Sequence, residues 1–285
     1  MMRISSKQTK VFYKVLVWCF LISGTILFCL PLAWMISTSL KPLSQIWIFP
    51  PKWIPKPVLW GNYIAALKIF PFHLFFANTC IITLFSLIGL IISSSLCAYG
   101  FARLRFPGRD FLFMIVLSVL MLPFIVILIP RYILFRYLGW IDTFKPLIVP
   151  NYFGVGGYGV FSIFLLRQFF RQIPLDLSDS ARIDGCSEFG IYARMIMPLS
   201  KPGLIAITIF AFLYNWNDFL EPLIYINTPE KFTVALGLTC FTDLYYTNWS
   251  YLMAGSVVAI VPVLIVFFYL QRYFIRGIVL TGLKT

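Results

Sequence analysis

The residues best suited to polar chemistry lie together at 178–202, which read SDSARIDGCSEFGIYARMIMPLSKP between two long apolar segments. This stretch carries acidic and basic side chains, namely Asp179, Arg182, Asp184, Glu188 and Arg194. Such groups can form ion pairs with each other or with charged groups of another protein. A stretch that only contacted lipid headgroups would be mostly basic, so the balanced charges favour protein contacts.

A second polar group lies inside an apolar segment, in the sequence WNDFLEPL at residues 216–223. Acidic side chains are costly within a membrane and are by default candidates for function there. Aromatic rings that stack on sugars, and amides or carboxylates that bind hydroxyls, suit a solute pathway. The candidates for lining such a pathway are Asn215, Trp216, Asn217, Asp218 and Glu221. A structural role in helix packing and gating is the alternative, and we favour it.

The other reactive residue types form no catalytic or metal-binding set. His73 is the only histidine, and the six cysteines include no CxxC pair. The chain has no G-x-x-x-x-G-K-[ST] loop for nucleotide phosphates. Residues 154–159, GVGGYG, lie in an apolar segment with no strand before them, so these glycines indicate close packing rather than a dinucleotide site. We expect no catalytic residue, no metal and no cofactor in this chain.

Composition places these polar groups in a membrane protein. The chain is 60% hydrophobic and 12% charged, whereas a soluble domain is about a quarter charged. A soluble protein of this composition would have too little polar surface to cover itself. In a membrane protein, the net charge of +13 indicates charge-biased loops rather than nucleic-acid binding.

The apolar segments predict an all-α integral membrane protein with six transmembrane helices in a single domain, 1–285. Each span needs about 20 mostly apolar residues, and backbone groups in lipid must be paired within a helix. The predicted spans are approximately 15–38, 74–100, 111–130, 146–166, 203–225 and 252–271. The distribution of basic residues predicts that both termini are cytoplasmic, because 15 of the 23 Lys and Arg residues then lie in the inner segments.

The longest inner segment, residues 171–202, is called the polar loop below, and we predict that it folds as helix, turn and helix. Pro174 suits a first helical turn, Asp184-Gly185 suits a helix end, and a second helix should begin near Ser187 and be broken by Pro198. Arg182 can pair with Asp179. Two interpretations are equally supported by this spacing: docking into a partner protein, and capping of the chain's own helix bundle.

The polar loop resembles the EAA loop of ABC-importer inner-membrane permeases. Asp179-Ser180-Ala181 is followed after three residues by Gly185, and later by Met197-Pro198-Leu199. The departures are Asp179 and Ser180, where the family pattern has Glu and Ala, and Met197, where it often has Leu or Ile. Further similarity, to the maltose-permease-G-like carbohydrate subgroup, lies in AYGFARLRFPGRDFLF (98–113), LGWIDT (138–143), FLLRQFF (164–170), WNDFLEPL and LQRYFIRGI (270–278).

This resemblance implies the binding-protein-dependent permease fold and a set of partners in the cell inner membrane. The partners are a second permease subunit forming a heterodimer, two ATP-binding-cassette ATPase subunits that bind ATP and Mg, and an extracytoplasmic solute-binding protein. The polar loop would be the cytoplasmic coupling element, and ATPase closure would switch the pathway between two access states. Phe189 and Tyr192 would be apolar anchors. The residues implied in ATPase coupling are Asp179, Ser180, Ala181, Arg182, Asp184, Gly185, Glu188, Phe189, Tyr192 and Pro198.

The expected function is import of a sugar or oligosaccharide, with ATP hydrolysis carried out by a partner. The alternative within the same class is a permease for another solute, such as glycerol 3-phosphate or an amino acid. A membrane-embedded enzyme would need a nucleophile, base or metal cluster near a membrane face, and the sequence shows none. A self-sufficient channel would conduct without an ATPase.

Overall fold

The computed structural model of this chain describes residues 6–242 and 247–281, and these residues are mostly helical. Within the described ranges there is no strand, only an isolated bridge between Thr242 and Thr247. The all-α prediction is therefore confirmed. The helices are α1 (Ser6–Ser39), α2 (Gly61–Ile69), α3 (Phe72–Arg103), α4 (Arg109–Ser118), α5 (Phe124–Tyr137), α6 (Lys145–Tyr152), α7 (Gly159–Gln172), α8 (Leu175–Ile183), α9 (Glu188–Ile191), α10 (Met197–Leu199), α11 (Lys201–Asn217), α12 (Leu220–Tyr225), α13 (Val234–Gly237) and α14 (Trp249–Thr281).

Three helices are individually long and apolar enough to cross a membrane. They contain the segments Phe12–Ser39, Phe72–Arg103 and Trp249–Gln271, and they correspond to the predicted spans 15–38, 74–100 and 252–271. Counting each sharply bent helix pair as one span raises the number to five. The total of six spans stays a prediction. Arg3 and Lys284, which contribute to the predicted charge bias, lie outside the described residues.

The other predicted spans are interrupted where proline, glycine or a polar residue stands in the apolar sequence. Within 111–130, the chain bends by 96° between Met121 and Phe124, because Pro123 has no N–H and disfavours a helical conformation of the residue before it. Within 203–225, α11 ends at Asn217 and the backbone of Asp218 is extended. Apolar composition alone did not indicate these breaks.

The predicted span 146–166 is divided by the glycine-rich segment GVGGYG. α6 ends at Tyr152 and α7 begins at Gly159, so the prediction of one continuous helix is wrong here. A Cβ atom on Gly159 would lie 2.2 Å from the backbone oxygen of Gly154, and one on Gly157 would lie 2.2 Å from the Tyr214 ring. The expected close packing against a helix is seen at Gly157, which lies against Tyr214 of α11, whereas Gly159 packs against the backbone of its own turn.

The chain forms two compact units, Met1–Phe70 with Cys240–Val258, and Pro71–Thr239 with Ala259–Thr285. In the first unit, the end of α1 is tied to α2 by Asn62, whose side-chain amide donates to the backbone oxygens of Ser39 and Lys41 at 2.8 and 3.0 Å. Ser250 also donates to the Lys41 oxygen, at 2.8 Å. The Lys41 ammonium lies 3.7 Å from the centre of the Trp34 ring.

The second unit is organised around α3, which packs against α6, α7 and α11. Its serines face neighbouring elements: Ser86 donates to the Leu147 oxygen at 3.1 Å, and Ser93 donates to the Asn151 oxygen at 2.7 Å. Small hydroxyl residues allow helices to approach closely and supply hydrogen bonds between them. α3 is therefore the element against which the rest of this unit is positioned.

Substitution of Gly159 by alanine should destabilise the fold by about 1–3 kcal/mol, because the new methyl group meets backbone that cannot move aside. Gly100→Ala is the matched control. Gly100 lies within α3, and a methyl group added there would meet no atom of another element within 4 Å. Alanine at this position should therefore be neutral or stabilising by up to about 1 kcal/mol. Thermal unfolding of the detergent-solubilised full chain measures both. Equal stability of the two variants would contradict this account of the turn.

Candidate functional site

The polar loop folds as the predicted helix, turn and helix. α8 begins after Pro174 and is followed by Gly185, which adopts a left-handed conformation with φ of 80°. The Gly185 N–H donates to the Arg182 oxygen and the Cys186 N–H to the Ala181 oxygen, at 3.1 and 2.9 Å. These two bonds form a Schellman motif, which satisfies the last carbonyl groups of a helix.

The second helix of the polar loop starts as predicted but does not end where predicted. Ser187 caps α9, because its hydroxyl accepts a hydrogen bond from the Gly190 N–H at 3.2 Å. A π-helical turn, Tyr192–Ile196, then leads directly into α10, which contains Pro198. The prediction that Pro198 breaks this helix is wrong, because the wider π turn provides an arrangement of backbone bonds in which the missing N–H is tolerated. The helical run ends only at Ser200.

Arg182 joins the two helices of the polar loop. Its Nη1 lies 2.6 Å from Asp179 Oδ1, which confirms the predicted pair, and its Nε lies 2.6 Å from Glu188 Oε1. The other carboxylate oxygen of Glu188 accepts a 2.6 Å hydrogen bond from the Tyr99 hydroxyl on α3. The hydrogen bonds from Arg182 and then Tyr99 lower the pKa of Glu188, and the bond to Glu188 raises the pKa of Arg182. Both groups are therefore held in their charged forms.

One face of the polar loop is buried in this chain's own core. The loop residues Ala181, Ile191, Tyr192 and Ile196 belong to the same cluster as side chains of α3, α7 and α11. The Tyr192 hydroxyl is 2.7 Å from Ser95 Oγ, and its ring lies 5.4 Å from that of Tyr99. The expectation that Tyr192 anchors a partner protein is wrong in this structure, because its side chain is only 8% exposed. Ala181, another residue expected to contact the partner, is also buried in this cluster.

The opposite face of the polar loop is exposed and partly apolar. Phe189 is 69% exposed and Ile183 is 87% exposed. Contiguous exposed apolar patches with a polar rim are typical of protein-contact surfaces, and these two side chains are the apolar part of this face. Sequence reasoning missed Ile183, although an isoleucine between Arg182 and Asp184 was a signal for it. The remaining expected coupling residues are individually exposed, namely Asp179, Ser180, Arg182, Asp184, Gly185, Glu188 and Pro198.

The pathway candidates are divided between packing and a small polar cavity. Trp216 is buried, and its indole N–H donates to the Ala259 oxygen at 3.0 Å while its ring stacks on Phe212. Trp216 therefore packs α11 against α14. The amides of Asn215 and Asn217 donate to backbone oxygens one turn earlier in α11.

Asp218 and Glu221 belong to a polar cluster with Arg131, which sequence reasoning did not connect to them. Asp218 Oδ1 accepts from the Glu221 N–H at 3.3 Å, and Glu221 Oε1 lies 3.2 Å from Arg131 Nη1. Asn215 and Asp218 line a cavity of about 10 Å³ beside this pair. A cavity of that size holds about one water molecule and is too small for a sugar ring. No sequence spacing relates Arg131 to Glu221, because they are brought together only by the fold.

Comparison with known families places the described geometry in a transport context. The family model described as "Binding-protein-dependent transport system inner membrane component" matches residues 91–279. That range contains both the polar loop and the polar cluster around Asp218.

Similar proteins of known designation are permease components. The arabinooligosaccharides transport system permease protein AraQ of Bacillus subtilis is 35% identical, covering 95% of this chain and 96% of its own length. The sulfoquinovosyl glycerol transport system permease protein SmoH of Agrobacterium fabrum is 31% identical, with coverages of 89% and 88%. The diacetylchitobiose uptake system permease protein DasC of Streptomyces coelicolor is 30% identical, with coverages of 89% and 91%.

The fold is similar to that of solved membrane transporters. A chain from a bacterial ABC transporter involved in the import of the acidic polysaccharide alginate matches with a TM-score of 0.80 and 22% identity, covering 96% of this chain and all of the other. A second chain, from an alginate ABC transporter in complex with an alginate pentasaccharide-bound periplasmic protein, matches with a TM-score of 0.69 and 14% identity, covering 93% of this chain and 95% of the other. At these identities, the likeness concerns the fold.

Replacing Arg182 with glutamine should loosen the polar loop, because both ion pairs of the guanidinium are lost. Two partly exposed pairs together contribute about 1 kcal/mol, so amide hydrogen exchange of residues 175–192 should accelerate about fivefold. Arg194→Gln is the matched control, since Arg194 lies in the same loop and its side chain makes no hydrogen bond to a described residue. Equal exchange rates in the two variants would show that Arg182 does not hold the loop together.

Proposed function

This chain belongs to the family of binding-protein-dependent transport system inner membrane components, and on that premise we propose that it is the permease subunit of an ATP-binding-cassette importer that moves a sugar or oligosaccharide into the cytoplasm. The family is one of transport permeases rather than enzymes. The observation that carries the proposal is the two-sided polar loop, with one face fixed in the helix core and the other exposed.

The two faces of the polar loop suit the transmission of movement into the membrane. A partner that contacts Phe189 and Ile183 would act on a segment whose inner face packs with α3, α7 and α11. The bond from Tyr99 to Glu188 adds a polar connection between α3 and the loop. Because packed interiors transmit strain rather than absorb it, displacement of the loop would move these helices together. Such coupled movement is what alternation between two access states requires.

The proposed partner on the exposed face is an ATP-binding-cassette ATPase. The sequence has no phosphate-binding loop of its own, so ATP and Mg would be bound by two ATPase subunits. Of the expected coupling residues, Phe189 is the proposed apolar anchor, with Asp179, Asp184 and Glu188 at a polar rim. Ala181 and Tyr192 are assigned a different role, namely holding the loop on the bundle.

The complete importer would contain a second permease subunit, forming a heterodimer, and an extracytoplasmic solute-binding protein. The family description itself specifies dependence on a binding protein, and a structurally similar transporter is in complex with a periplasmic protein that binds a pentasaccharide. With the polar loop facing the ATPases, both termini would be cytoplasmic, as the basic-residue distribution also predicts.

A carbohydrate is the proposed substrate class. The designations of the similar permeases refer to arabinooligosaccharides, diacetylchitobiose and sulfoquinovosyl glycerol, which supports a sugar over glycerol 3-phosphate or an amino acid. We assign Asn215 and Asp218 to the pathway because they line the small polar cavity. Trp216 is assigned to packing, and Asn217 is exposed near the same helix end. The described state would be closed to solute at this point.

Truncation of the exposed anchor should uncouple the ATPase. Loss of a buried interface ring costs about 2 kcal/mol or more, so Phe189→Ala should weaken ATPase association about thirtyfold and abolish solute-stimulated ATP hydrolysis. Gly185→Asp should act similarly, because it places a further charge at the turn that presents this surface. Phe153→Ala is the control, since Phe153 is 74% exposed but lies outside the polar loop. Co-purification and membrane insertion are measured together. Normal coupling in both loop variants would remove the docking proposal.

The substrate class is tested on the binding protein that co-purifies with the transporter. Its thermal unfolding is measured against a panel of mono- and oligosaccharides, glycerol 3-phosphate and amino acids. A ligand at about 100 times its dissociation constant stabilises a protein by about 2.7 kcal/mol, so a cognate sugar should give a clear upward shift. A shift given only by a non-sugar solute would refute the carbohydrate assignment while leaving the permease assignment intact.

A further inference from the structure

A pocket of about 370 Å³ lies between the end of α3 and the polar loop. Five charged side chains line it: Arg103, Arg105, Asp179, Arg182 and Glu188. The three arginines exceed the two acids, so the lining carries a net positive charge. This pocket shares Asp179 and Glu188 with the rim of the proposed contact face around Phe189, and it is separate from the polar cavity around Asp218.

The positive charge of the pocket resides on Arg103 and Arg105. Arg182 is paired with both acids that line the pocket, so these three side chains satisfy each other. Arg105 is exposed and makes no ion pair or hydrogen bond with any residue in the described part of the chain. The two unpaired arginines are therefore available to an anion that this chain does not itself supply.

Arg103 shows that the site lacks an acceptor. Its side chain is 6% exposed, and Nη2 donates to the Ile173 oxygen at 2.6 Å. Nε and Nη1 have no hydrogen-bond partner among the described residues. A buried cationic donor without an acceptor is strongly unfavourable. A guanidinium presents its donors as a planar fork that matches the oxygens of a phosphate or carboxylate.

The position of the pocket and its apolar lining favour a phosphate over a carboxylate. Arg103 is the last residue of α3, a helix apolar enough to cross a membrane, so the pocket lies where that helix meets the headgroup region. Leu104 and Leu175 also line the pocket, and Leu175 is 51% exposed. A phospholipid carries a phosphate next to its apolar acyl chains, and this matches a pocket in which arginines lie next to leucines. Basic pockets at helix ends bind anionic lipid headgroups in this way.

From this geometry we infer that Arg103 and Arg105 bind the phosphate of an anionic phospholipid beside the polar loop. The placement of this lipid in the cytoplasmic leaflet rests on the proposed function, whereas the binding itself does not. Because Asp179, Arg182 and Glu188 form the opposite wall, the bound lipid contacts both α3 and the segment proposed to dock the ATPase. The anionic lipid content of the membrane then affects the position of the polar loop.

The test uses the full chain, with its co-purifying partners, in nanodiscs of phosphatidylcholine with increasing phosphatidylglycerol. Native mass spectrometry after transfer to detergent should show about one retained phosphatidylglycerol per chain.

Arg105→Gln should weaken this retention at least tenfold, and Arg105→Lys should weaken it less, because a lysine keeps the charge but not the planar fork of donors. Arg136→Gln, which removes an exposed arginine remote from the pocket in sequence, should retain the lipid as the parent does. Arg103→Gln should act like Arg105→Gln. Because Arg105 is exposed, its variant remains informative if the Arg103 variant does not fold.

Four results would overturn the inference. They are equal phosphatidylglycerol retention by the parent and Arg105→Gln, equal retention of phosphatidylcholine, displacement of the lipid by inorganic phosphate, and retention only after the ATPase subunits are removed. The third would identify a site for soluble phosphate, and the fourth would show that a partner side chain fills the pocket. ATPase co-purification is recorded in the same preparations, so failure of the proposed function is seen separately. If no ATPase co-purifies, the lipid measurement is made on the permease chain alone.

Discussion

The structure of the polar loop depends on the placement of one guanidinium group between two helices. Arg182 contacts an acid in its own helix and an acid at the start of the next one, and the second acid also accepts a hydrogen bond from Tyr99. Individually, such partly exposed pairs are weak. They act here on a segment whose inner face is already buried with α3, α7 and α11, so they select one orientation of a loop that burial has positioned. With that orientation fixed, Phe189 points away from the core.

Much of this arrangement could be predicted from the sequence, because its signals are local. The limits of α8, the left-handed Gly185 and the Ser187 cap follow from residue types with known preferences at helix ends. The three long apolar helices follow from composition, and the Asp179–Arg182 pair follows from their spacing of three residues. From the residues alone, docking into a partner protein and capping of the chain's own bundle were equally supported. The family resemblance then favoured docking.

The features that sequence reasoning missed depend on residues far apart in the chain. Tyr192 was expected on a partner surface, but its hydroxyl meets Ser95, 97 positions earlier. Arg131 and Glu221 are 90 positions apart, and no periodicity connects them. The breaks within apolar segments were missed for a different reason. A hydropathy pattern records where a chain prefers lipid, whereas Pro123 and the glycine turn before α7 determine whether the backbone can continue as a helix there.

The π-helical turn Tyr192–Ile196 has a mechanical consequence for the segment that joins the polar loop to α11. Its backbone hydrogen bonds join residues five apart instead of four, so the turn contains one residue more than a turn of α-helix. Conversion to regular α geometry would rotate α9 by about 100° about its axis relative to α10, with an axial change of about 1.5 Å. A switch between π and α geometry at Tyr192–Ile196 would therefore change the twist between α9 and α10 far more than the length of the segment.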